Sequence, residues 1–377
     1  MHRVDLPTPK LIKTSKALEN LAAHLSQEPI LAVDTESNSL YAYQEQVCLI
    51  QFSTTGADFL IDPLAINDLS ALAPIFASPA VEKVFHAAEY DILTMKRDFG
   101  FEFACLFDTM VAARILGWKN IGLGSILEEQ YGVHLNKRFQ RANWGRRPLP
   151  MDMLAYARLD THYLIPLRDR LQADLRASGR WDLAAEDFER LRFVNGREPE
   201  DAADACWRIS GAYDLSRQRA AVLQELCLYR DKLARSMNRP LFKVINDRTL
   251  LAIAEAAPTN FRELRQLPGM TGGQVSRHGE ALLEAVARGL RSEPAYPPRS
   301  PRPDDQYLDR VDALRYWRKN TAKRMGVNSD VVLPRDLLYA IAAKNPRTQK
   351  DLGAILEQVP WRLQRFGEQI LEVLDEV

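Results

Sequence analysis

The sequence has no long hydrophobic run, no paired cysteines, no phosphate-binding loop and no net charge, and each gap excludes a class of function. No stretch approaches the ~20 apolar residues that a membrane span requires. The opening residues, Met1 to Lys13, lack the apolar core of a secretory signal, which predicts a cytoplasmic protein. The four cysteines, Cys48, Cys105, Cys206 and Cys227, lie far apart, with neither a C-x-x-C pair nor a clustered histidine. That spacing argues against a zinc site, a redox pair or a disulfide framework and predicts buried free thiols. No G-x-x-x-x-G-K-S/T segment is present, which removes the P-loop ATPases, helicases among them. Fifty Lys and Arg balance fifty Asp and Glu, so there is no uniformly basic coat. The balance is uneven along the chain, about −4 over residues 1–195 and about +4 over 196–377, a mild form of the asymmetry that accompanies polyanionic ligands.

What is present is organisation. A chain of 377 residues, 46% hydrophobic, is long enough for two or three domains, each with its own core. Up to Asn195, apolar runs of strand length (Ile30–Val33, Val47–Phe52, Phe59–Ile61, Val81–Phe85, Ala104–Phe107) are interspersed with helical patterns. The helical patterns are Asp68–Phe76, Glu89–Phe99, Thr109–Leu116, Ser125–Tyr131 and Met151–Ala177. Three strands crowd ahead of the first helix, which predicts a mixed sheet that opens as an antiparallel meander and ends in parallel crossovers, with helices on its faces. Asn195-Gly196 and the polar run Arg197–Asp204 mark the end of this α/β part.

Beyond Asp204 the strand signal stops, and amphipathic helices are predicted at Arg217–Ser236, Asp247–Ala256, Asn260–Gln266 and Gln274–Arg288. Five prolines stiffen Ser292–Asp305 as an extended linker. The helical pattern then repeats. An ungapped shift of 88 residues superposes Leu226 on Leu314, Arg230 on Arg318, Met237 on Met325, Leu250 on Leu338 and Gly279-Glu280 on Gly367-Glu368. Two copies of one small helical domain are the simplest account.

Three sets of residues carry chemistry. Asp34-Thr35-Glu36 ends an apolar strand, and positions i and i+2 of a strand project from one face, so both carboxylates point together. Adjacent acids there repel unless cations neutralise them, and hard oxygen donors suit Mg²⁺ or Mn²⁺. Asp91 opens the helix after the strand Val81–Phe85, where an acid also complements the helix dipole. Tyr156 and Asp160 stand at i and i+4, one above the other on a helix face.

The order of these motifs resembles the DEDD exonuclease superfamily in its tyrosine branch. Asn143-Trp144-Gly145-Arg146-Arg147-Pro148-Leu149 is similar to the W-x-x-R-P-L stretch of the ribonuclease D family, and the two helical repeats resemble its HRDC domains, the first with the typical Leu267-Pro268-Gly269 turn. The chain departs from the pattern at Asn143, where the family usually has Asp, at Arg158, and in the second repeat, which has Leu356-Glu357-Gln358 in place of the turn.

The resemblance implies an α/β ribonuclease H-like exonuclease domain over residues 1–197, an HRDC domain over 210–290, a proline-rich linker over 291–305 and a second HRDC domain over 306–377. It implies catalytic roles for Asp34, Glu36, Asp91, Tyr156 and Asp160, with the four acids holding two divalent cations, Mg²⁺ or Mn²⁺. The implied reaction removes nucleoside 5′-monophosphates from the free 3′ end of RNA, tRNA precursors in particular, by a monomeric enzyme. Lys137, Arg138, Arg141, Trp144 and Arg147 interleave cations and aromatics beside the Tyr156 helix, a mixture suited to phosphate contact and base stacking. Arg230, Lys232, Arg235, Arg239 and Lys243 in the first repeat form a basic face, matched in the second by Arg315, Arg318, Lys319, Lys323 and Arg324. Two rivals remain: a DNA 3′→5′ exonuclease of the same superfamily, because no residue here accounts for sugar selectivity, and a non-catalytic RNA-binding scaffold.

Overall fold

A computed structural model describes residues 6, 8–196, 201–298 and 304–377. The α/β part is a six-stranded sheet in the order β1-β4-β3-β2-β5-β6. Strands β2 (Ile30–Ser37), β3 (Val47–Ser53) and β4 (Asp58–Ile61) form the antiparallel meander. Strands β5 (Glu82–Phe85) and β6 (Leu106–Asp108) add in parallel beside β2, so the expected mixed sheet is present. β1 (Lys10–Ile12), absent from the sequence reading, pairs in parallel with β4 at the edge. It is too short to show a period.

Helices cover both faces. α1 (Ser15–Leu25), α2 (Ala73–Ala77) and α3 (Glu89–Phe99) enclose a core that includes Leu25, Phe52, Phe76 and Phe85. α4 (Thr109–Leu116) and α5 (Leu123–Tyr131) follow β6, and α6 (Met151–His162) lies against β2, β3 and β4. α7 (Leu164–Ala177) and α8 (Trp181–Arg190) complete the second face, around Phe107, Leu167, Leu171 and Phe188. The single helix expected over Met151–Ala177 is two, broken at Tyr163. Pro166 explains the break, since it lacks an amide hydrogen and its ring collides with the carbonyl four residues back. Asp68–Phe76 similarly resolves into a 3₁₀ turn, Ser70–Leu72, followed by the short α2 with Pro74 in its first turn.

After α9 (Ala202–Ala205), the first repeat comprises α10 (Arg217–Met237), α11 (Leu241–Val244), α12 (Asp247–Ala256), α13 (Phe261–Leu264) and α14 (Gly272–Arg291). The second comprises α15 (Asp305–Met325), α16 (Ser329–Val332), α17 (Arg335–Lys344), α18 (Gln349–Ile355) and α19 (Pro360–Asp375). Every helix of the second copy starts 88 residues after its counterpart: 305 against 217, 329 against 241, 335 against 247, 349 against 261 and 360 against 272. Residues 197–200 of the expected boundary and 299–303 of the proline linker lie outside the described residues.

The chain forms two compact units that do not follow domain order. One comprises Met1–Ser37, Val47–Gly196 and Arg302–Val377; the other comprises Asn38–Gln46 and Arg197–Pro301. The second repeat thus belongs with the nuclease sheet, while the loop after β2 belongs with the first repeat. Within that second unit Tyr43 donates through its hydroxyl to Asp231 at 2.6 Å, and Lys243 lies 3.8 Å over the Tyr41 ring. Among the described residues no helix is long and apolar enough to cross a membrane, and no disulfide joins the four cysteines.

Candidate active site

The site is built where β2 outruns its neighbour. β5 pairs with β2 only from Ile30 to Ala32, so the backbone beyond Ala32 is open on that side. Asp91, in the first turn of α3, fills the vacancy: its Oδ1 accepts from Thr35 N at 3.1 Å and Thr35 Oγ1 at 2.5 Å. On the other side β3 continues alongside, placing Gln51 directly opposite Asp34, and the Gln51 amide donates to Asp34 Oδ2 at 3.4 Å. The strand alternation then sends Asp34 and Glu36 to the same face.

α6 crosses that face. Its C-terminal end is pinned to the meander: Thr161 and Ser53 hydroxyls lie 2.7 Å apart, and Asp58 accepts from Ser53 at 2.7 Å and meets His162 Nδ1 at 3.0 Å. The opposite end is wedged by aromatic packing, with the Tyr156 ring 5.3 Å from Phe139 and 6.3 Å from Trp144. Tyr156 and Asp160 therefore face β2. One oxygen each from Asp34, Glu36 and Asp160 lies within 4.8 Å of the others. Asp91 stands beside this trio, anchored through Thr35. Asp34, Glu36, Asp160 and Tyr156 thus surround one place, with Asp91 held next to it through Thr35.

Electrostatics follow from the crowding. Burial, then the charges of Asp91, Asp160 and Glu36, push the Asp34 carboxyl far above the usual range. Burial, followed by Asp160 and Asp91, does the same to Glu36, and burial with Asp91 raises Asp160. Burial lifts Asp91 to about 7 against the opposing pull of the two Thr35 bonds. Tyr156 is bonded through its hydroxyl to Asp160, and burial plus the three nearby carboxylates keep the phenol protonated. Carboxylates so placed hold their charge only when cations share the site, and an all-oxygen donor set fits a hard divalent ion.

Asp34, Glu36, Tyr156 and Asp160 open onto a cleft of about 600 Å³ whose wall also includes His86, Lys137, Gln140 and the turn Gly122–Ser125, while Asp91 meets it through Thr35. Of the five expected RNA contacts, Lys137 lines the cleft. Arg138 is exposed, paired with Asp152 at 2.6 Å and stacked 4.5 Å over Phe139, and Arg141 is exposed. The other two need correction. Trp144 is 1% exposed, packed behind Tyr156, and offers no face to a base. Arg147 is committed to the scaffold, bidentate to Asp62 at 2.8 and 2.7 Å and bonded to the carbonyls of Cys48 and Trp144. A fork satisfied by a carboxylate and backbone is a strut.

Sequence reasoning missed Gln51 and Asp108. Asp108 caps α4 through Met110 N and Val111 N, a role its place before Thr109 could have signalled. It also accepts from Ala87 N at 3.1 Å and Ala88 N at 2.7 Å, which no spacing reveals. Those bonds hold Ala87 at φ 63°, a left-handed turn that carries the chain from β5 into α3.

With the geometry established, comparison with known proteins is direct. Residues 9–176 match the family described as 3′-5′ exonuclease, and residues 219–286 and 308–374 each match the HRDC domain. A protein named ribonuclease D from Acidiphilium cryptum is 30% identical over 98% of this chain and 94% of its own length. One of the same name from Nitrobacter hamburgensis is 31% identical over 96% and 94%. Among solved structures, Escherichia coli RNase D, described as an exoribonuclease involved in structured RNA processing, superposes with a TM-score of 0.71. It is 27% identical and matches over 98% of this chain and 99% of that one.

Proposed function

The chain belongs to the ribonuclease D family of 3′→5′ exoribonucleases, and from that premise we propose that the cleft at Asp34 hydrolyses the terminal phosphodiester of RNA with a free 3′ end, precursors of tRNA being the substrate class. The observation that carries this reading is the convergence of the Asp34, Glu36 and Asp160 carboxylates within 4.8 Å beside the Tyr156 hydroxyl.

Family members use divalent metal ions; here Asp34, Glu36, Asp91 and Asp160 would hold two, Mg²⁺ or Mn²⁺. Asp34 would bridge them, Glu36 and Asp160 would hold the one beside the attacking water, and Asp91 would help hold the other. Bound there, the cations supply a water of lowered pKa and stabilise charge on the scissile phosphate and the leaving 3′-oxygen. The chain's own groups do the positioning. The Tyr156 hydroxyl, kept protonated and tied to Asp160, orients the attacking water for in-line approach. Thr35 fixes Asp91, Gln51 fixes Asp34, and the pinned α6 fixes Asp160. Lys137 on the cleft wall offers a cation to the incoming backbone. The product is a nucleoside 5′-monophosphate, and the enzyme acts as a monomer in the cytoplasm.

The test is digestion of a 3′-extended tRNA, with matched RNA and DNA oligonucleotides, in Mg²⁺ or Mn²⁺. Stepwise release of 5′-monophosphates from RNA, abolished by chelation and by Asp34→Asn in a folded protein, is expected. Full activity in Asp34→Asn overturns the site, and faster digestion of DNA overturns the RNA substrate.

A further inference from the structure

His86 lines the same cleft as Asp34, Glu36, Tyr156 and Asp160 and has no part in the reaction as so far described. It is half-buried at the end of β5, on the turn that Asp108 braces. Its Nδ1 lies 2.9 Å from Thr109 Oγ1, and that hydroxyl donates to Phe85 O at 3.0 Å. A hydroxyl has one proton to give. Thr109 therefore meets the imidazole as an acceptor, and the ring hydrogen sits on Nδ1. Burial lowers the ring's affinity for a second proton, against the attraction of Asp108, which leaves the neutral form. In that tautomer Nε2 presents a lone pair, and no described residue donates to it.

An unused acceptor on a cleft made for a nucleic acid needs a donor from the substrate. Phosphate oxygens only accept, and the neighbouring carboxylates of Asp34, Glu36 and Asp160 are acceptors as well. Base N–H groups donate but change with the nucleotide, whereas a sugar hydroxyl donates at every one. Of the sugar hydroxyls only the 2′-OH distinguishes ribose from deoxyribose.

We propose that His86 Nε2 accepts a hydrogen bond from the 2′-hydroxyl at the scissile 3′ end of the RNA, so that His86 selects ribose over deoxyribose and Thr109 is the positioning residue that sets its tautomer. This rests on the exoribonuclease reading of the cleft and supplies the sugar contact that no motif in the sequence reveals. Placement of the acceptor is determined by covalent geometry as well as by the hydrogen bond: His86 directly follows Phe85, the last residue of β5, whose carbonyl is the very group that takes the Thr109 proton. The strand end, the threonine and the ring are locked in sequence.

The experiment compares kcat/KM on three otherwise identical RNA oligonucleotides: all-ribose, 2′-deoxy at the terminal nucleotide, and 3′-deoxy at the terminal nucleotide. For the wild-type chain, loss of the 2′-hydroxyl should lower kcat/KM about tenfold, the scale of one hydrogen bond. In His86→Ala that ratio should collapse towards one, because the ribose substrate loses its advantage. Thr109→Val keeps the shape of the side chain and frees the tautomer, so the ratio should also fall while the thermal midpoint confirms a folded protein. Direct binding of AMP and 2′-deoxy-AMP should show the same change in preference without turnover. A ratio unchanged in both variants, or rates lowered equally on ribose and 2′-deoxy substrates, overturns the proposal. A collapse confined to the 3′-deoxy comparison assigns Nε2 to the 3′-hydroxyl and overturns it too. Failure of the wild-type chain to digest any of the three oligonucleotides would instead sink the exoribonuclease reading itself.

Discussion

At the scale of single residues, the site separates groups that react from groups that hold them. Tyr156 is the clearest case of the first kind. Its ring is packed by Phe139 and Trp144, and its hydroxyl reaches Asp160. Tyr156→Phe keeps the packing and removes only the oxygen. Turnover should fall by roughly 10²–10⁴, the range for positioned proton-handling groups, with the thermal midpoint nearly unmoved. A variant with wild-type kcat would make Tyr156 a core residue. Asp108 is the second kind. It is 1% exposed and its carboxylate accepts four backbone amides, those of Ala87, Ala88, Met110 and Val111. Asp108→Ala would strand those donors and release the strained Ala87 turn. We expect a loss of stability on the order of 3 kcal/mol, measured by denaturant unfolding, since each buried unpaired amide costs about 1–3 kcal/mol and solvent will reach some of them. Catalysis should suffer only as the turn carrying His86 and leading to Asp91 loosens.

At the scale of elements, the two helical repeats show how a basic pattern can mislead. Arg230 and Arg318 stand 88 residues apart, and each turns inward to the carbonyl of a residue likewise 88 apart: Ile245 at 3.1 Å and Leu333 at 2.9 Å. The pair is a repeated strut, tying the fourth turn of the long helix to the residue that ends the next short one. Arg318→Met should therefore destabilise the chain by about 1–2 kcal/mol, the cost of leaving a buried carbonyl without its charged partner, and leave RNA affinity in filter binding unchanged. Weaker RNA binding with unaltered stability would restore the basic face. The same contrast explains what could be read in advance. Glu89–Phe99 and Thr109–Leu116 were legible to the residue because apolar period and C-terminal glycine agree in both, with first-turn acids in the former and the N-cap Asp108 in the latter. α8 escaped because no side chain caps its start, and β1 because three residues carry no alternation, whereas α1 was missed despite the start signal of Thr14, whose side chain accepts from Ala17 N. In the site, D-x-E and Y-x-x-x-D were legible because their spacing alone decides a shared face. Gln51, Asp108 and the burial of Trp144 were not, since each depends on partners 12 to 21 positions away in pairing, turn or packing.

At the scale of the whole molecule, one exchanged residue ties the second repeat to the nuclease sheet. Gln274 and Arg362 occupy equivalent positions, and each bonds an equivalent carbonyl at 3.2 Å, Val244 O for the first and Val332 O for the second. Glutamine ends there. The longer arginine continues, to Glu186 Oε2 at 3.0 Å and Asp187 Oδ2 at 3.0 Å on α8, while Glu186 also accepts from the backbone amide of Trp361. Around this fully buried guanidinium, Val331, Met325, Val327 and Trp361 join the apolar cluster of Phe107, Ile115 and Phe188. Gly117 approaches so closely that a Cβ there would lie 2.6 Å from Gly326 O. The ion pairs Arg114–Asp330 and Arg190–Asp336 are more exposed, and pairs of that kind contribute under ~1 kcal/mol each. The buried arginine is therefore the group on which this contact turns. Arg362→Ala leaves Glu186 charged, 7% exposed and unpaired, and should cost on the order of 3–5 kcal/mol in cooperative unfolding. Arg362→Met combined with Glu186→Leu removes both charges and should recover much of that loss, because two well-packed apolar side chains avoid the desolvation that the pair must overcome. If the single variant unfolds at the wild-type midpoint, the second repeat is not an energetic part of the nuclease unit. If the double variant is no better than the single one, the arginine matters through its bonds to Val331 O and Val332 O inside the repeat and the pairing with α8 is incidental.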